Sequence, residues 1–202
     1  DTRRLCESNR PAALLPANVY LHRVRYGNTE PYLPTLAEAG DAWPAPDDVP
    51  GQRWLFEVVL DYGNHAGEAP TTLPSGPWRA RVDAFSRYRA GFEVRTHRLC
   101  RRVLMFHHFP EELGTADCLV RSTDFEYVEP PDSDDPLRAG YTVLASVTQR
   151  AYQKRLPGDA QYGSREWPPL KFEYSVPRVD TTPRIIARAD LEHLPVGVEG
   201  PG

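Results

Sequence analysis

The chain has 202 residues, 40% of them apolar, with 21 Pro, 14 Gly and a formal net charge of −4. That content can bury a core in one domain or two small ones, and the aperiodic Pro and Gly exclude a collagen-like repeat. The negative balance argues against a dedicated nucleic-acid binder, and no run of about 18 apolar residues predicts a membrane span.

Asp1 stands first and Met105 is the only methionine, which predicts a piece of a longer or processed polypeptide. Residues 1–17 read as a segment arriving from something upstream. Residues 18–176 read as a β-rich domain, and residues 177–202 as a Pro-rich linker to a following module.

Within the β-rich part, Asn18 to Gly27 (NVYLHRVRYG) carries strand-forming residues and ends in a Gly27-Asn28 turn signal. The prolines between 28 and 52 predict a long irregular loop. Trp54, Phe56, Val58, Leu60 and Tyr62 alternate with Leu55, Glu57, Val59 and Asp61, which predicts a strand near 53–62 with one apolar and one mixed face. Asp83 to Tyr88 (DAFSRY) suggests one helical turn.

The stretch GFEVRTHRLCRRVLMFHHF, Gly91 to Phe109, predicts a single long strand near 91–108. Leu99, Val103 and Phe106 also fit a helical stripe, but no N-cap residue opens a helix here. Pro110 to Ala116 breaks the pattern with at most a helical turn. Cys118 to Val128 and Tyr141 to Tyr152 predict two more long strands, separated by the solvated loop around Asp132 to Asp135. Leu156 to Trp167 reads as loop, and Leu170 to Ser175 as a short alternating segment. The expected fold is mostly β, with long antiparallel strands and irregular Pro-rich loops, and the strand lengths point to a large sheet that extends beyond this segment. Strands of ten or more residues exceed the usual length of roughly 5–6.

Arginine supplies 22 of the 24 basic residues. Trp78 to Val103 holds eight of them against Asp83 and Glu93, a local +6 that leaves −10 for the rest of the chain. Arg95, Arg98, Arg101 and Arg102 could form a phosphate track. The acidic balance elsewhere favours instead a polar sheet face paired to carboxylates on neighbouring strands.

His107 and His108, adjacent in a strand, point to opposite faces and are poorly placed to share a metal. Asp61 and His65 with Ser75 or Ser86 offer the residue types of a triad without a nucleophile motif. Cys6, Cys100 and Cys118 are odd in number and widely spaced, which predicts reduced thiols rather than a disulfide framework. The Asp132 to Asp135 run lacks calcium-loop spacing. No catalytic, metal-ligating or cofactor-binding residue is assigned from the sequence, no cofactor is expected, and the chain is expected not to be an enzyme. A glycan- or protein-binding module of β-sandwich type, using Trp43, Trp54, Trp78 and Trp167, is the alternative reading; a cryptic hydrolase around His65 or His107 is a weaker third.

Seven strings in order resemble one family: YLHRVRYGN (Tyr20 to Asn28), WLFEVVLDYG (Trp54 to Gly63), FSRYRAGFEVRTHRLCRRVLMFHHF (Phe85 to Phe109), LVRSTDFEY (Leu119 to Tyr127), SVTQRAY (Ser146 to Tyr152), PPLKFEYS (Pro168 to Ser175) and DLEHLPVGVEG (Asp190 to Gly200). Together they resemble the middle/N-terminal region of the TcB subunit of bacterial toxin complexes, the TcdB-type insecticidal toxins. The resemblance implies a secreted toxin component whose β-shell, built with an RHS-repeat TcC-type subunit, encloses a cytotoxic polypeptide. It also implies a propeller that docks on a pore-forming TcA-type subunit. The implied partners are these subunits and the remainder of the same polypeptide, with no nucleic acid and no membrane contact by this segment.

Overall fold

The computed structural model describes residues 19–31, 53–130, 140–153, 162–175 and 185–186. Cys6, Trp43, the Asp132 to Asp135 run and most of residues 177–202 lie outside the described residues. The chain divides into two compact units, Asp1–Phe172 and Glu173–Gly202. The strands and helix named here lie in the first.

The fold is mostly β, as the alternating patterns predict. The main sheet is antiparallel and contains β1 (Arg23–Asn28), β2 (Trp54–Asp61), β5 (Arg102–His107), β6 (Cys118–Val128), β7 (Val143–Tyr152), β8 (Ser164–Glu166) and β9 (Leu170–Lys171). Its order is β1-β2-β5-β6-β7-β8, with β9 also paired to β7. β3 (Ala80–Arg87) and β4 (Val94–Arg98) form a separate two-stranded hairpin. A four-residue helix, α1 (Pro110–Leu113), follows β5 and ends at Gly114, whose left-handed φ of 67° suits a residue without Cβ.

Three expectations are corrected. Asp83 to Tyr88 is not a helical turn: Asp83 to Arg87 is the second half of β3, because Phe85, Ser86 and Arg87 pair across to Thr96, Arg95 and Val94. Gly91 to Phe109 is not one strand. The chain leaves the hairpin after Arg98, crosses at Leu99–Cys100 and joins the main sheet. There the Arg101 N–H donates to the Asp61 carbonyl at 2.7 Å, and its own carbonyl accepts from Phe125 N at 2.8 Å. Finally, Gly27 does not end its strand: it sits inside β1 at φ 68°, and Thr29 N still donates to the Arg53 carbonyl. Among the described residues of 156–175, β8 and β9 are the strands.

The distribution of burial across β2 places the core. Its apolar face, Phe56, Val58 and Leu60, is only half-buried, whereas Glu57, Val59 and Asp61 of the mixed face are buried. Register carries that face across the sheet. Val59 lies opposite Leu104, Glu57 opposite Phe106, and Leu104 opposite Ser122. The fully buried core is Val59, Leu104, Phe106 and Leu119, each side chain contributing about 2 kcal/mol by burial. A bulge between Met105 and Phe106 brings Leu119 opposite Phe106 and so into this cluster. Residues 62–73 lie over the same face: Tyr62, His65, Pro70 and Thr72 are buried.

Candidate functional site

The buried face is unusual in carrying charge beside its apolar core, and every charge needs a partner there. Alternation along β1 turns Arg23 and Arg25 to the same side as Glu57, opposite Val59 and Glu57 in register. Arg23 Nε lies 3.0 Å from Glu57 Oε1, and Arg25 Nε lies 3.3 Å from Oε2. His108, just past β5, adds a third cation, with Nε2 3.3 Å from Glu57 Oε2. Its other nitrogen, Nδ1, faces Asp117 Oδ1 at 3.0 Å and the Ala116 carbonyl at 3.1 Å. Thr72 donates its hydroxyl to Asp117 Oδ2 at 3.1 Å, and Arg23 Nη2 donates to the Thr72 carbonyl at 3.0 Å. The network thus joins β1, β2, the end of β5, the start of β6 and the 62–73 segment.

The electrostatics of the network are those of a clamp. Hydrogen bonds to Asp117 and then Glu57 push the His108 imidazole up to about 10, against the opposing effect of its burial. Burial alone would raise Glu57, but the hydrogen bond from His108 and the charges of Arg23 and Arg25 outweigh it and hold the carboxyl below its ordinary value. The hydrogen bond from His108 is also the main reason Asp117 is lowered. A histidinium held by two carboxylates cannot act as a general base near neutrality. The one hydroxyl in the chain of contacts, Thr72, donates to Asp117 and not to the imidazole.

A second centre lies 41 residues apart in sequence. Asp61 is 1% exposed, and its Oδ1 accepts the backbone N–H groups of Gly63, Asn64 and His65 at 2.8, 3.0 and 3.2 Å. Its Oδ2 takes Arg102 Nε at 2.7 Å. The rest of the Arg102 guanidinium donates to the carbonyls of His65, Ala66 and Gly67. Gly63, with φ 82°, makes the sharp turn that the carboxylate then caps.

Beside the first centre, a cleft of about 720 Å³ opens between the start of β2 and α1. Trp54, Leu55, Phe109 and Pro110 supply apolar walls, and Arg25, Arg53, Glu111 and Glu112 supply charge of both signs. Glu57 and His108 also line it.

The residues singled out from the sequence scatter rather than converge. Arg102 pairs with Asp61 and Arg101 with Glu129, as the charge balance predicts. Arg95 is buried, with Nη1 3.1 Å from Ser86 Oγ, and the Ser86 hydroxyl donates to Glu93. Arg98 stacks on aromatic rings, its guanidinium carbon 4.3 Å from Trp78, 5.1 Å from Tyr20 and 5.8 Å from Tyr62. The two histidines face opposite sides: His107 sits edge-on to Phe56 and Phe109, while His108 meets Glu57 and Asp117.

The triad candidates also separate. His65 Nδ1 faces the Thr71 carbonyl, Ser75 reaches the Asn64 carbonyl, and Ser86 bonds Glu93. Trp54 lines the cleft, Trp78 holds Arg98, and Trp167 is exposed, so these three do not build one aromatic platform. Cys100 is half-buried, its thiol pushed up to about 11 chiefly by burial, and Cys118 is buried. Among the described residues no cluster of three or more His, Cys, Asp or Glu is placed to hold a metal. Glu57 and Asp117 were not singled out from the sequence. Glu57 is one acid on a mixed strand face, and nothing local ties Asp117 to His108.

The family model described as SpvB, Salmonella virulence plasmid 65kDa B protein, matches residues 1–109, more than half of the chain. The chain belongs to the SpvB family. A relative named mono(ADP-ribosyl)transferase SpvB, from Salmonella typhimurium, is 45% identical over 137 residues, covering 66% of this chain and 21% of its own length. The protein of the same name from Salmonella typhimurium strain 14028s is 46% identical over 115 residues, covering 55% and 18%. This SpvB-family chain therefore spans about a fifth of the length of these curated relatives.

Two kinds of solved structure are similar. The N-terminal domain of effector protein SpvB from Salmonella typhimurium strain LT2 gives a TM-score of 0.56 at 39% identity, covering 76% of this chain and 43% of that one. The TcdB2-TccC3 crystal structure without its hypervariable C-terminal region gives 0.56 at 34% identity, covering 77% and 7%. The sequence resemblance to TcB proteins is thus refined. The family shown is SpvB, the toxin-complex likeness holds at the level of the TcdB2-TccC3 structures, and the chain is a toxin- and virulence-associated SpvB-family region.

Proposed function

We propose that this region is a non-catalytic structural segment of a TcB-type toxin subunit that helps form a β-shell around a cytotoxic polypeptide. Its partners in that reading are the rest of its own polypeptide, an RHS-repeat TcC-type subunit, and a pore-forming TcA-type subunit reached through the propeller; the assembly is secreted. The observation that carries the reading is the likeness to TcdB2-TccC3 over 77% of this chain. The site chemistry supports it. The buried charges are used in clamps between strands, and His108 is held as a cation by two carboxylates. The mono(ADP-ribosyl)transferase activity in the names of the relatives is assigned, in this reading, to the roughly four-fifths of their length that this chain does not span.

The test is made in the full-length protein co-expressed with its TcC-type subunit. Residues 18–176 are deleted, and protease protection of the enclosed polypeptide is followed. The expected result is loss of protection, with no ADP-ribose transfer by residues 1–202 given NAD. An enclosed polypeptide that stays protected without residues 18–176 would overturn the shell role. Transfer by residues 1–202 would overturn the non-catalytic one.

A further inference from the structure

The β3–β4 hairpin ends in the sequence RYRAGF, Arg87 to Phe92, and all six residues are exposed. A turn closes it, with Gly91 N donating to the Tyr88 carbonyl at 3.0 Å and Gly91 at φ 81°. Tyr88 and Phe92, which flank the apex of this turn, are 67% and 66% exposed. Alternation puts Phe85, Arg87 and Val94 on one outward face, and Phe85 and Val94 are themselves exposed. Among the described residues neither Arg87 nor Arg89 meets a carboxylate; Arg87 only stacks over Phe85, at 5.4 Å. Glu93, the nearest acid in sequence, takes the Ser86 hydroxyl, and Ser86 shares its face with the buried Arg95.

We propose that this tip is a contact for an anionic membrane surface, with Tyr88 and Phe92 entering the headgroup layer and Arg87 and Arg89 pairing with lipid phosphates. The amphipathic Tyr ring favours that layer, the apolar Phe ring gains by leaving water beside it, and guanidinium groups bind phosphate in bidentate fashion. The small apex residues Ala90 and Gly91 let the turn approach a flat surface. An acidic protein partner would need a matching concavity for two projecting rings, whereas a fluid bilayer yields to any convex tip. No helix among the described residues is long and apolar enough to cross a membrane, and that leaves surface contact by a hairpin open. The proposal departs from the expectation, implied by the toxin-complex resemblance, that this segment makes no membrane contact.

The intact protein is mixed with vesicles of phosphatidylserine and phosphatidylcholine, or of phosphatidylcholine alone, and sedimented. Binding to the anionic vesicles only, weakening with salt, is expected. Arg87→Gln with Arg89→Gln should weaken it by about fivefold per guanidinium. Tyr88→Ser with Phe92→Ser should abolish it, while thermal unfolding of both variants stays unchanged. Phe92→Trp should give a blue-shifted emission on binding. Two outcomes would overturn the proposal. One is binding by both double variants equal to wild type. The other is an intact protein that ignores anionic vesicles and already protects amides 88–92 from exchange, which would place the tip against protein instead.

Discussion

Arg102 on β5 reaches Asp61 on β2 across neighbouring strands, with Nε 2.7 Å from a carboxylate that is 1% exposed. The same guanidinium holds three successive carbonyls of the 65–67 segment. Removing the cation leaves a buried carboxylate without its charge partner and releases that segment. Arg102→Ala is expected to lower unfolding free energy by about 3–5 kcal/mol, read as a shift in the urea midpoint. Arg102→Lys should recover only part of the loss, because an ammonium cannot span the carboxylate and the carbonyls in one plane. A midpoint unchanged by Arg102→Ala would show that the clamp contributes nothing.

The Glu57–His108–Asp117 chain sets a pH dependence. A folded imidazole at about 10 against 6.5 unfolded contributes stability that is complete below 6.5, declines above it, and is gone once pH rises through about 10. Glu57 and Asp117, both lowered, contribute stability present above the ordinary carboxylate range and lost in acid. Denaturant unfolding between pH 6 and 10.5 should show falling stability in the wild type. His108→Gln should flatten that alkaline slope and be less stable at pH 6. Equal slopes for the two proteins would place the imidazole outside any ion pair.

Asp83 joins the hairpin to the lead into β7. It accepts Arg81 in two hydrogen bonds, at 2.8 and 2.9 Å, and the Thr142 N–H and hydroxyl at 2.8 and 2.7 Å. Burial works to raise its carboxyl, but these bonds hold it down at about 2. Its stabilisation is therefore present above about 4 and lost as pH falls toward 2. Asp83→Asn should cost about 2 kcal/mol and speed exchange of the Thr142 amide before the amides of β5 and β6. Uniform acceleration across the main sheet would show that the hairpin and sheet unfold as one.

Much of the fold was legible because a strand repeats every two residues, and that period is visible without any partner. β6 begins at Cys118 and ends at Val128, where the alternation does, and β2 follows the alternation from Trp54. The pairing of Arg101 and Arg102 with acids followed from the local excess of arginine over carboxylate. The crossover at Leu99–Cys100 was not legible. Both sides of it alternate like strand, and the change of sheet shows only in the hydrogen bonds of Arg101, whose N–H donates to the Asp61 carbonyl and whose carbonyl accepts from Phe125 N. DAFSRY favoured a helical turn by local preference, and pairing to β4 overrode it.

The amino-acid sequence by itself determined that β2 has two chemically different faces. Which of them is buried was decided by tertiary structure. Burying Glu57 and Asp61 in place of Phe56, Val58 and Leu60 would cost several kcal/mol if either carboxylate lacked a partner. Those partners arrive from elsewhere: Arg23 and Arg25 from β1, His108 from beyond β5, and Arg102 from β5 itself. Periodicity is a local property and can be read from neighbouring residues. The desolvation of a charge is not, because it depends on groups tens of residues away being brought within about 3 Å of it.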